Sequence, residues 1–62
     1  MREEKINDVL DGCALLEYLG DLYEYAGSSN NGKHIFQCIS DDSHVILSYR
    51  ALLTSPDVDV QY

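Results

Sequence analysis

Residues 2–26, REEKINDVLDGCALLEYLGDLYEYA, decide the fold, because most of the chain's charge and much of its apolar content lie there. Ile6, Val9, Cys13, Leu16, Gly20 and Tyr23 recur at spacings of 3, 4, 3, 4 and 3, which keeps side chains on one helix face. Leu10, Leu19 and Ala26 widen that row. At ~100° per residue, Glu4, Asp8 and Asp11 fall on one flank of the polar side and Glu17, Asp21 and Glu24 on the other. The pattern predicts a helix over 2–26. Gly12 marks a place for a kink, or for two helices to meet, because glycine costs about 1 kcal/mol relative to alanine in a helix interior.

The rest of the chain follows from that helix. Residues 27–33, GSSNNGK, read as a loop, with Gly27 as helix cap and Asn31-Gly32 as a turn pair. Beyond it two signals conflict. Residues 35–39 and 45–49 have the composition of strands, with Ser40–Ser43 available as a turn. Against that, Ile35, Ile39, Asp42, Ile46, Tyr49 and Leu53 follow spacings of 4, 3, 4, 3 and 4. Ser40 followed by Asp41 and Asp42 makes a helix start, and Arg50 with Pro56 makes a stop. Start, stop and period favour a helix over 41–54, with 34–39 as a short helix, an extension of it or a strand. The alternating Asp and Val of residues 56–62 read as a tail, frayed or available as an edge strand for a partner.

The expected architecture is therefore all-α, a small helical hairpin over residues 1–55 that dimerises to complete its core. The alternative is α+β, one long helix packed on a two-stranded β-hairpin. At 62 residues the chain supports one domain, and a core of that size supplies only about 3–5 kcal/mol. A second copy of the chain is the expected stabiliser. Residues 1–10 carry charge throughout and no long apolar run follows, so the expectation is a cytoplasmic protein with no membrane span and two reduced, mostly buried thiols, Cys13 and Cys38.

Candidate chemistry is sparse. Gly27 to Lys33 fits the spacing GxxxxGK of a phosphate-binding loop, but His34 replaces the hydroxyl that holds magnesium. Cys13, His34, Cys38 and His44 include the atom types of a zinc site without its paired spacings. No nucleophile elbow or other local signature orders the Ser, His and Asp residues. The expectation is a non-enzyme with no metal and no cofactor.

Charge is more telling. Eleven Asp and Glu face four Lys and Arg, for a net charge of −7, and seven of the acids lie between residues 3 and 24. Direct contact with nucleic acid or an anionic membrane is disfavoured, and contact with basic protein surfaces is favoured. In a helix Glu4–Asp8, Asp8–Asp11, Glu17–Asp21 and Asp21–Glu24 are like-charge pairs costing about 0.2–0.5 kcal/mol each. Solubility alone could have been met at lower cost. A helix over residues 3–24 would be about 32 Å long and carry one carboxylate per ~5 Å, comparable with one phosphate per ~3.4 Å of a DNA strand.

In size, acidity and lack of motif the chain resembles the small inhibitors that phages and mobile elements deploy against restriction or CRISPR machinery. That resemblance is one of format; the density of negative charge suggests a DNA mimic occupying the basic nucleic-acid-binding surface of a protein or complex. The expected partner-binding residues are Glu4, Asp8, Asp11, Glu17, Asp21 and Glu24 for charge, with Tyr18 and Tyr25 as anchors. The alternative is a structural or regulatory helical-hairpin homodimer whose acids merely solvate it.

Overall fold

The computed structural model describes residues 1–62 as two short helices packed on one face of a five-stranded antiparallel sheet. The elements in chain order are α1 (Glu3–Leu10), β1 (Leu15–Tyr18), β2 (Asp21–Ser28), β3 (His34–Cys38), β4 (His44–Leu47), α2 (Tyr49–Thr54) and β5 (Val58–Gln61). β1 to β4 form a meander, and α2 carries the chain back so that β5 pairs with β1, giving the order β4-β3-β2-β1-β5. The fold is α+β. It replaces both the expected all-α hairpin and its alternative of one long helix on a two-stranded hairpin.

Helix α1 ends where Gly12 stands. Asp11 closes the helix, Gly12 takes φ +82, the Cys13 amide donates to the Asp8 carbonyl at 2.8 Å and the Gly12 amide to Val9 at 3.2 Å. That pair of bonds is the Schellman arrangement, in which a left-handed residue satisfies the last free carbonyls and stops the helix. The glycine expected to kink a long helix therefore terminates a short one.

The row of spacings 3, 4, 3, 4 that predicts a helix through Tyr23 has another cause. Leu16 and Tyr23 are both buried because they are opposite partners in the β1–β2 hairpin. Seven residues separate two turns of a helix, and they also separate these two positions around a two-residue turn. Leu19 and Gly20 make that turn, with φ +51 and +87, the left-handed pair that matches the twist of a tight hairpin.

Residues 34–47 form β3 and β4, so the expected helix over 41–54 is confined to Tyr49–Thr54. Its cap is Ser48, whose hydroxyl accepts from the Ala51 amide at 3.1 Å, rather than Ser40. Pro56 lies just beyond its end. The β-branched composition of residues 35–46 prevails over the helical spacing. Ile35 and Ile46 stand opposite each other across the β3–β4 ladder. Gly27 is not a helix cap: it takes φ +123 inside β2, at the register shift after Tyr25. The Gly27–Lys33 sequence joins two antiparallel strands, which is no setting for a phosphate-binding loop. Residues 56–62 supply the edge strand β5, paired with the chain's own β1.

The core lies between the helices and one sheet face. Ile6 and Val9 from α1, Leu52 from α2, and Leu16, Phe36, Cys38, Tyr23 and Val58 from the sheet are buried, and no polar or charged residue is. Eight buried residues out of 62 make a thin core, so small energetic terms matter. No helix is long and apolar enough to cross a membrane.

Candidate protein-docking face

The strand register assigns each side chain to a face, because neighbours along a strand alternate. Leu16, Tyr18, Tyr23, Tyr25, Phe36, Val45, Leu47, Val58 and Val60 belong to the helix-covered face. The opposite face has no layer over it. Its rows follow from the ladders: Ile46 opposite Ile35 on β4 and β3, His44 opposite Gln37 opposite Glu24 across β4, β3 and β2, and Leu22 opposite Glu17 opposite Asp59 across β2, β1 and β5. Ile39 extends the last row beyond Leu22, to which its amide bonds at 3.1 Å.

This uncovered face is divided. Apolar residues on it form two rows, Ile46 with Ile35 and Ile39 with Leu22, separated by the polar His44–Gln37–Glu24 row; Ile46 and Ile39 are 54% and 48% exposed, and Ile35 and Leu22 are half-buried. Its β1–β5 side is acidic, with Glu17 and Asp59 directly opposite and Glu24 diagonal to Glu17. None of the four Lys and Arg residues lies on it. Lys5 and Arg50 sit in α1 and α2, Arg2 caps α1, and Lys33 lies in the β2–β3 loop.

The sequence-predicted residues do not form one stripe. Glu4 and Asp8 lie on α1 and Asp11 at its end, on the helical layer; Glu17 and Glu24 lie on the uncovered sheet face; Asp21 begins β2 beside the tight turn. A 22-residue helical stripe does not exist in this chain. Tyr18 and Tyr25 pack against the core under the helical layer, Tyr18 edge-on to Tyr23 at 6.2 Å between centroids. Tyr25 contacts Phe36, and its hydroxyl bonds Ser28 at 2.9 Å and His34 at 3.3 Å. The residues missed are Leu22, Ile35, Ile46 and Asp59. The period-two alternation in Leu22–Tyr25 and Val58–Gln61 is the signal for Leu22 and Asp59, and the strand composition of residues 35–39 and 45–49 is the signal for Ile35 and Ile46.

Few of the carboxylates are engaged. Asp8 accepts from the Tyr62 hydroxyl at 2.5 Å, Asp41 from the Ser43 hydroxyl and amide at 2.7 and 3.0 Å, Asp42 from Gln37, and Asp59 from the Val60 amide. The Ser43 hydroxyl, then its amide, hold the Asp41 carboxyl below the usual range. The Asp8 hydrogen bond pushes the Tyr62 hydroxyl up, and burial does the same for Tyr23.

Cys13 is exposed and Cys38 buried, and both are free, which corrects the expectation of two buried thiols. His, Cys, Asp and Glu side chains form no group of three or more placed to hold a metal ion. The surface has no enclosed pocket. Comparison of the chain with protein-family models, curated proteins and solved structures finds no match.

Proposed function

We propose that this is a non-catalytic acidic binding protein that occupies a basic, nucleic-acid-binding surface of a protein partner in the cytoplasm, in the manner of a DNA mimic. One observation carries the reading: Glu17 and Asp59 are direct cross-strand partners on a sheet face without a single Lys or Arg. Like charges directly opposite each other destabilise a sheet. A fold with so thin a core loses stability by keeping them, and a cationic receptor would compensate the loss. Adjacent strands are about 4.8 Å apart, so charges on successive strands approach the ~3.4 Å axial spacing of phosphates in a DNA strand. The mimicry resides in a sheet face rather than along a helix.

Affinity capture from a host-like lysate at low and high salt tests this. Captured proteins should be nucleic-acid-binding, and both salt and competing duplex DNA should release them. Capture indifferent to salt and to DNA would count against the reading.

A second reading keeps one support of its own. The uncovered isoleucines and the open edge of β4, whose sequence HVIL has no Lys or Pro to block pairing, suit a structural or regulatory homodimer. Sedimentation of the protein alone separates the two readings.

A further inference from the structure

We infer that the docking surface is the uncovered sheet face, and that it fits a basic amphipathic segment of a partner protein. Apolar side chains of that segment would seat on Leu22, Ile35, Ile39 and Ile46, and its Lys or Arg side chains would lie over Glu17 and Asp59. The inference rests on the acidic-binder reading and adds where the partner sits and what chemistry it presents.

Two features on the same face define the occupant. Along the row Ile39, Leu22, Glu17 and Asp59 the face passes from apolar to acidic, and the distance from β3 to β5 is three strand spacings, about 14 Å. A partner that is only cationic, such as a polylysine-like tail, would leave Ile46 and Ile39 in water. A partner that is only apolar would desolvate Glu17 and Asp59 without replacing the lost hydration. A ligand with apolar and cationic groups about 14 Å apart satisfies both ends.

A second copy of this chain does not. Its own uncovered face has no Lys or Arg, so a face-to-face copy covers the isoleucines at most and leaves Glu17 and Asp59 without a cation. The cations of the chain belong to the helical layer and the β2–β3 loop.

The test uses two synthetic peptides of equal charge, one alternating Lys and Leu and one alternating Lys and Ser, titrated into isotopically labelled full-length protein. Amide shifts should change at Leu15, Glu17, Leu22, Ile35 and Ile46 with the Lys/Leu peptide, which should bind more tightly than the Lys/Ser peptide. The variant E17Q/D59N should lose roughly fivefold in affinity, the scale of two exposed charge contacts. Ile46→Thr, which keeps a β-branched residue in the strand, should lose affinity for the Lys/Leu peptide alone. E3Q/E4Q, which removes equal charge from α1, should bind as wild type does. Shifts confined to α1 and α2 would overturn this face while leaving the acidic-binder reading in place. Equal affinity for the two peptides would overturn the amphipathic occupant, and absence of binding by either would overturn both readings. Concentration-dependent shifts on this face without peptide would assign it to a second copy instead.

Discussion

Glu17 and Asp59 face each other across the β1–β5 ladder, on the side of the sheet that no helix covers. Direct opposition of like charges costs about 0.2–1 kcal/mol. E17Q/D59N should therefore be more stable than the wild type, with a melting temperature several degrees higher, on the scale of about 4–8 °C per kcal/mol for small domains. The difference should be largest at low ionic strength and shrink in 0.5 M salt, where screening acts over only about 4 Å. Thermal unfolding at two salt concentrations checks it. An unchanged or lower melting temperature at low salt would show that the pair is not a burden.

Leu19 holds a left-handed backbone, φ +51, while its side chain is 65% exposed. The conformation costs a branched residue about 1–2 kcal/mol, and asparagine adopts it readily. Leu19→Asn should stabilise the hairpin by about 1 kcal/mol, read as a higher urea midpoint with an unchanged slope. Destabilisation would mean that the exposed leucine makes a contact worth more than the strain.

Gly12 makes the complementary case. A Cβ at this position meets nothing within 4 Å, so the entire penalty of Gly12→Ala is conformational, arising from φ +82. The expected loss is about 1 kcal/mol. Ile6→Ala, in contrast, removes a fully buried side chain and should cost about 2–5 kcal/mol, enough to unfold a domain of this size. Circular dichroism of the two variants at 25 °C should show a folded protein and an unfolded one respectively.

Acid and alkali should act on different ends of the molecule. Asp41 has a lowered carboxyl pKa in the folded state, so its contribution is present above the ordinary carboxylate range and lost as pH falls through the lowered value. Asp41→Ala should flatten the acid limb of the stability curve below about pH 5. Tyr62 has a raised pKa, through its bond to Asp8, so its contribution is present below the ordinary tyrosine value and lost as pH rises through the raised one. Tyr62→Phe should reduce the alkaline loss above about pH 10, to which the raised Tyr23 hydroxyl also contributes, and lower stability at neutral pH. Urea midpoints from acid to alkaline pH decide both, and unchanged limbs in the variants would contradict the assignments.

Much of the local structure is legible in the residues themselves. The turn at Asn31-Gly32, with Gly32 at φ +80, and the stop of α2 before Pro56 follow directly from residue type. The strand composition of residues 35–39 is also visible. The long helix is not there because a two-residue hairpin places Leu16 and Tyr23 together at the same separation as two helical turns. Gly12 and Gly20, together with the period-two alternation of Leu22–Tyr25, distinguish the cases, since both glycines take left-handed backbone that a continuous helix cannot contain. The uncovered sheet face is legible in part: Glu17 and Glu24 stand on it, but its Ile35–Ile46 pairing and the addition of β5 depend on long-range register.

The most direct measurement is the amount of partner that immobilised E17Q/D59N captures, relative to wild type, from one lysate at low salt. We expect a more stable protein that captures several-fold less. Undiminished capture by a folded E17Q/D59N would contradict the claim that these carboxylates are held, at a loss to the fold, for a cationic receptor.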